Sequence, residues 1–386
     1  MRFIHTADIR LDRCYAEQEL PAHAGRENRG HLRTRLESLL ERAAAWPADA
    51  VLIAGNLIEF ESFDRDTIAF LREAFQRVAP IPIIIAPGHC DPFTATSPYA
   101  TELWPENVHI FRGPGWECTA VGEVRVCGFA SDGRDFTSDP FESFAAPEGD
   151  APVVIVASAW ATCLGDCPVP GRAAVDLGHL GGVRPAYVAL GQVPDCMPLE
   201  CGDGLTAWYS GAPEGGSYGE TGPHHYLEVE IAPCETGGHY AARVTQVPVS
   251  AGRFFEMRLD CTDLASGQAL IDAVRPHLAA NPDRQCARVV LEGALLPEIY
   301  DEMASIRDAL SEEVLHLDLV DRCFVAENFG ALAAEQTSLG AFVARINREI
   351  EDAPDEVLRA ALCRSRDLAL CAYRGQHLPI RASQGD

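Results

Sequence analysis

Lysine is absent from this chain. All 31 basic residues are arginine, set against 57 acidic ones for a formal net charge of −26. No stretch is basic. A protein that holds DNA by its backbone unaided carries an arginine- or lysine-rich face, so the composition argues against an independent nucleic-acid binder. Long apolar runs are missing too, none approaching the roughly 20 residues needed to span a bilayer. The first residues lack a basic region followed by an apolar stretch and a cleavage site, and a cytoplasmic location is the expectation. Cysteine is not scarce, at 14 residues. In such a chain these read as buried small side chains and free thiols rather than a disulfide framework. Two pairs, Cys163/Cys167 and Cys196/Cys201, have a spacing that zinc allows, although no tight C-x-x-C pair stands beside them.

What is present is an ordinary globular composition, 47% hydrophobic and 23% charged over 386 residues, enough for two or three domains. The opening MRFIHTADIRLDR organises the rest. Met1, Phe3 and Ile4 predict a buried strand, with Asp8 and Arg10 where it ends. Residues two apart on a strand share a face, and open α/β sheets place their chemistry beyond the carboxyl ends of strands. Asp8 and Arg10 are therefore site candidates.

Next, Glu27–Trp46 carries Leu32, Leu36, Leu39, Leu40 and Ala43 at helical spacing, and Pro47 stops it. Ala50–Ile58 reads as a buried parallel strand ending in Gly-Asn. A second helix is expected over Phe63–Val78, then a strand over Ile81–Ala86, then Pro87-Gly88-His89-Cys90-Asp91. Strand–helix–strand–helix–strand with short connections predicts a layered α/β domain.

From Glu117 the pattern shifts to shorter strands, expected to form a second sheet packed on the first with helices outside. The fold class that follows is α/β, a four-layer α-β-β-α sandwich over 1–250. A small α/β cap is expected over 251–325, with helices near 265–278 and 297–310. Two C-terminal helices are expected within 326–386, on the stripes Leu339/Phe342/Val343/Ile346/Ile350 and Val357/Leu358/Ala361/Leu362/Leu368, with Pro354 in the first turn of the second. His224 and His225 read as turn residues, His179 as a loop residue, and Asp195 and Cys196 as residues within reach of the strand-end site.

The ordered blocks FIHTADIRLDR, VLIAGNLIEF, PIIIAPGHCDP, VIVASAWA, YVALGQVPD and WYSGAPEGGSYGETGPHHYLEVEI resemble the calcineurin-like metallophosphoesterases, and most of all the SbcD and YhaO type of DNA-repair nuclease. That resemblance implies two metal ions, usually manganese, roughly 3.5–4 Å apart, with a bridging water as nucleophile. The ligand pattern runs DxH, GD, GNHD, a histidine after a buried strand, then GHxH.

Here only Asp8 survives at the outset. Arg10 stands for the first His, Asn56 for the bridging Asp, and His89 for the ligand Asn. Cys90 takes the place of the His that assists the leaving group, Ser158 or a neighbour within ASAWA that of the lone His, and Gln192 and Pro194 those of the last two ligands. Arginine has no lone pair to offer, Asn56 cannot offset two dications, and Pro194 offers nothing. Asp8 with His89, even joined by Cys90, falls short of a stable manganese site. Zinc on Asp8, His89 and Cys90 is the metal alternative.

The expectation is a pseudo-nuclease with the fold kept and the dinuclear centre gone. Arg10 would pair with Asp8, or hold a phosphate group. By resemblance the partners would be an SMC-like ATPase of the SbcC or YhaN type, gripped by the C-terminal helices, and a second copy in a homodimer, with DNA contacted mainly through the ATPase. The alternatives are an active metal-dependent exonuclease or phosphodiesterase, using manganese or zinc, and a scaffold unrelated to DNA.

Overall fold

Four residues show how the first sheet is layered. In Ala50–Ile53, Val51 and Ile53 pack toward the helices while Ala50 and Leu52 pack toward a second sheet. A strand covered on both faces has no room for polar alternation, hence the continuous apolar run. The computed structural model of the chain describes residues 1–200, 205–234, 240–279, 285–325 and 329–374. It forms two units, Met1–Phe254 and the residues from Phe255 onward.

The first unit is an α/β sandwich. Its strands are β1 (Arg2–Thr6), β2 (Ala50–Ile53), β3 (Ile83–Ile85), β4 (Val108–Ile110), β5 (Glu117–Val121), β6 (Val124–Gly128) and β7 (Val153–Ser158). They continue as β8 (Trp160–Ala161), β9 (Ala174–Val175), β10 (Tyr187–Gly191), β11 (Met197–Leu199), β12 (Ala207–Tyr209), β13 (His224–Pro233) and β14 (Tyr240–Ser250). One sheet has the order β14-β13-β1-β2-β3-β4, the other β11-β12-β10-β7-β6-β5. Strands β1 to β4 run parallel, as do β6, β7, β10 and β12. The long pair β13–β14 returns to the first sheet, antiparallel to β1. The sequence pattern had grouped those strands with the second sheet, because which strand they pair with is a tertiary choice that alternation does not encode.

Helices α1 (Ala22–Ala45) and α2 (Arg65–Arg77) cover the outer face of the first sheet. Helix α1 starts five residues before the expected Glu27, with Ala24, Gly25 and Asn28 buried in its first turns. Its Leu32, Leu36, Leu39 and Leu40 are buried with Val51, Ile53 and Phe75, each contributing roughly 2 kcal/mol. Helix α2 is capped by Asp64, whose carboxylate accepts from the Asp66 N–H. The outer face of the second sheet is covered by 3-10 turns at Pro140–Ser143, Thr162–Leu164 and Leu177–Leu180 and by the short pair β8–β9. Cys118 and Cys127, paired across the β5–β6 hairpin, form a disulfide, where free thiols were expected.

The second unit is built on a three-stranded sheet of Phe254–Asp260, whose first residue closes the first unit, with Cys286–Glu292 and His316–Asp321. It packs on Gly267–Leu278 and Met303–Ser311. The helix expected over 297–310 is split at Glu302 into Pro297–Asp301 and Met303–Ser311. Ser338–Glu351 and Glu356–Tyr373 are the two C-terminal helices, and Pro354 lies just outside the second, which Asp355 caps. No described helix is long and apolar enough to cross a membrane.

Candidate functional site

The carboxyl ends of β1, β2 and β3 meet those of β7 and β10 at one place. The two sheets come so close there that a Cβ on Gly191 would collide with the Ala54 carbonyl oxygen. The chain leaves β1, β2 and β10 through left-handed backbone: φ is 55° at Asp8, 49° at Arg10, 55° at Asn56 and 94° at Gln192. Asparagine and aspartate tolerate that region, but arginine and glutamine rarely enter it. Clustered backbone strain of this kind is a mark of a functional site, present or former.

Asp8 is buried and both its oxygens are occupied. The Asn56 side-chain amide donates to Oδ1 at 2.7 Å, and the Gln192 backbone N–H donates to Oδ2 at 2.7 Å. Asn56 is fixed in that orientation because its Oδ1 accepts from the Cys90 N–H at 2.9 Å. Burial raises the Asp8 carboxyl above its ordinary range, opposed by these two hydrogen bonds.

Beneath lies a second carboxylate that the sequence pattern passed over. Asp91 is wholly buried and accepts four hydrogen bonds. Its Oδ1 takes the N–H groups of Asn56 (2.8 Å) and Gly88 (2.7 Å), and its Oδ2 takes the Leu57 N–H (2.7 Å) and the Tyr99 hydroxyl (2.7 Å). Burial pushes it up to about 6. It ties the loop after β3 to the loop after β2, a role with no signal beyond its place at the end of GHCD.

Arg10 does not pair with Asp8. Strand β1 ends at Thr6, and positive φ at both Asp8 and Arg10 breaks the two-residue alternation. The guanidinium turns instead to Glu59, with Nε at 2.9 Å and Nη2 at 2.8 Å from Oε2. Glu59 closes the block VLIAGNLIEF, and nothing in its spacing marks it as the partner of Arg10.

Of the other candidates, Ser158 is buried beside the Gly55 and Gly88 backbone, and among the described residues neither its hydroxyl nor the Gln192 side-chain Nε2 has a hydrogen-bond partner. His89 is exposed, its basicity lowered by partial burial and then by nearby Arg172. Burial pushes the Cys90 thiol up to about 12. The Pro194 carbonyl accepts from Ala212, in a turn toward β12. Asp195 is exposed, and Cys196 packs on the core between the sheets. His179 lies apart, hydrogen-bonded to Asp139 at 2.9 Å on an outer turn. His224 is no turn residue: it opens β13, buried, with its ring on the Ala212 carbonyl. Cys163 and Cys167 are free thiols, and Cys201 lies outside the described residues.

The donor chemistry of the cluster does not suit the metal pair that the family resemblance implies. The side chain that meets Asp8 Oδ1 presents an amide N–H where the pattern has a bridging carboxylate, and the Arg10 guanidinium is engaged by Glu59. Among the described residues no group of three or more His, Cys, Asp or Glu side chains is arranged to hold a metal ion.

The chain matches no protein-family model and no curated protein. Solved structures do match it. TT1561 of Thermus thermophilus is 15% identical, with a TM-score of 0.34, over 58% of this chain and 93% of that one. A dimetal phosphatase from Danio rerio is 10% identical, with a TM-score of 0.38, over 65% of this chain and 99% of that one. The residue roles described above rest on the strand-end geometry alone.

Proposed function

We propose that this protein is a phosphoesterase-fold subunit that no longer hydrolyses phosphate esters. In this reading it serves as a structural or regulatory partner of an SMC-like ATPase acting on DNA ends. One observation carries the loss of hydrolysis: both oxygens of Asp8, the one carboxylate left from the ligand pattern, are capped by hydrogen-bond donors. The donor on Oδ1 is the Asn56 amide N–H, which aims a hydrogen rather than a lone pair at the place where the ligand pattern has a bridging carboxylate.

The partner reading draws on the resemblance of the sequence blocks to the SbcD and YhaO type, and on the last helix. Val357 is 79% exposed and Tyr373 63%, with Leu358 and Leu368 also open to solvent. Exposed apolar side chains on one helix suit docking against a partner helix. The absence of lysine and the charge of −26 leave DNA contact to that partner. A homodimer and a cytoplasmic location belong to the same reading.

The test is hydrolysis of bis-p-nitrophenyl phosphate with added manganese or zinc, together with co-purification with an SMC-like ATPase. No metal-dependent turnover and a stable complex are expected. Turnover abolished by Asp8→Ala and His89→Ala would establish a working enzyme instead, and failure to bind any such ATPase would favour a scaffold unrelated to DNA.

A further inference from the structure

The side chain at position 56 decides what kind of site this is. Asn56 uses both halves of its amide: the nitrogen donates to Asp8 Oδ1 at 2.7 Å, and the oxygen accepts from the Cys90 N–H at 2.9 Å. A carboxylate there would keep the second bond and turn the first into a contact between two anions. Two carboxylates so close cannot both stay ionised without a proton or a cation between them. The amide removes that requirement by a change of one atom.

Asp8 also joins the two sheets. It follows β1 and takes one hydrogen bond from the end of β2, in the same sheet, and one from Gln192 at the end of β10, in the other. These are the same segments whose backbones hold positive φ at Asp8, Asn56 and Gln192. Such conformations persist only where the surroundings over-determine them: the bonds to Asp8 act there beside the Asp8 N–H on the Gly55 carbonyl, the Arg10 N–H on the Asn56 carbonyl and the Asn56 N–H on Asp91.

We infer that Asn56 has converted a cation-requiring position into a self-sufficient hydrogen-bonded cross-link, and that Asp8 is retained as a structural latch between the sheets. This rests on the metal-free reading of the site given above. It predicts that a single substitution, Asn56→Asp, brings back a repulsion between two carboxylates that a divalent cation relieves.

The experiment compares melting of the full chain as wild type, Asp8→Ala and Asn56→Asp, each in chelator and in excess manganese chloride. The wild type melts at the same temperature in both. Asp8→Ala melts about 5–10 °C lower, as loss of a buried, doubly hydrogen-bonded partner predicts, with no response to manganese. Asn56→Asp melts lower in chelator and recovers with manganese.

An Asp8→Ala chain as stable as the wild type or more so, the usual result of removing a residue kept for function at a strained site, overturns the latch. An Asn56→Asp chain indifferent to manganese overturns it as well. Should Asp8→Ala fail to fold, refolding of Asn56→Asp with and without manganese decides alone. A wild type that is itself stabilised by manganese refutes the metal-free reading instead, so the two failures are distinguishable.

Discussion

Replacing Asp91 with asparagine is the substitution that most exposes how the site is held. The carboxylate accepts four hydrogen bonds from three segments, two on each oxygen. Asparagine can keep one oxygen, with its two donors. Its NH2 group then faces two others, and while the Tyr99 hydroxyl can rotate to accept, the buried Leu57 or Asn56 N–H cannot. The loss is two charge-assisted hydrogen bonds, about 1.5–3 kcal/mol each, with one buried donor left unpaired. Some of that is recovered because burying a neutral amide costs less than burying a charge. The net expectation is about 3–5 kcal/mol, or about 10 °C in melting temperature. Urea unfolding followed by tryptophan fluorescence measures it, above the pH near 6 at which Asp91 gains its proton. A loss below about 1 kcal/mol would refute the hub role.

His5 gives a pH signature. Buried between the sheets, it sits with Nδ1 at 3.0 Å from the Tyr187 hydroxyl and Nε2 at 3.1 Å from the Leu190 carbonyl, and burial lowers it from 6.5 to about 3. The unfolded chain therefore takes up a proton as pH falls through 6.5 while the native state does not, so stability is lost on acidification, by about 3 kcal/mol at about pH 4.5. Asp91 works the other way: raised from 3.8 to about 6, it protonates first in the native state and returns about 2 kcal/mol at that pH. His5→Gln should flatten the acid loss, and parallel stability curves for the two proteins would contradict this. Gln192→Gly should stabilise by about 1 kcal/mol, because it relieves a φ of 94° and an unpartnered buried amide while keeping the N–H bond to Asp8; a lower melting temperature would show that the side chain has a partner. Glu59→Ala should cost at most about 1 kcal/mol, since Arg10 is 30% exposed and solvent screens the pair.

The apolar runs made the layered core legible. Runs such as AVLI and III, too short for helices, read as strands covered on both faces; Asp8 and Asn56 followed from where those runs stop, and Ser158 and Gln192 from the resemblance to the phosphoesterase ligand pattern. Pairing was not legible. Nothing in HHYLEVEIA says that it lies beside β1, and the Cys118–Cys127 bridge depends on a hairpin register that spacing does not reveal. Arg10 is the instructive case: strand alternation aims it at Asp8, but two left-handed residues end the alternation and deliver it to Glu59. Asp91 is not legible because three of its four bonds come from backbone N–H groups, which have no residue identity to recognise.

The central claim is that the strand-end cluster satisfies itself with hydrogen bonds and takes up no divalent cation. Calorimetric titration of manganese into the chelator-treated wild-type protein tests it most directly. The account predicts no saturable binding heat; two-site uptake abolished by Asp8→Ala would contradict it.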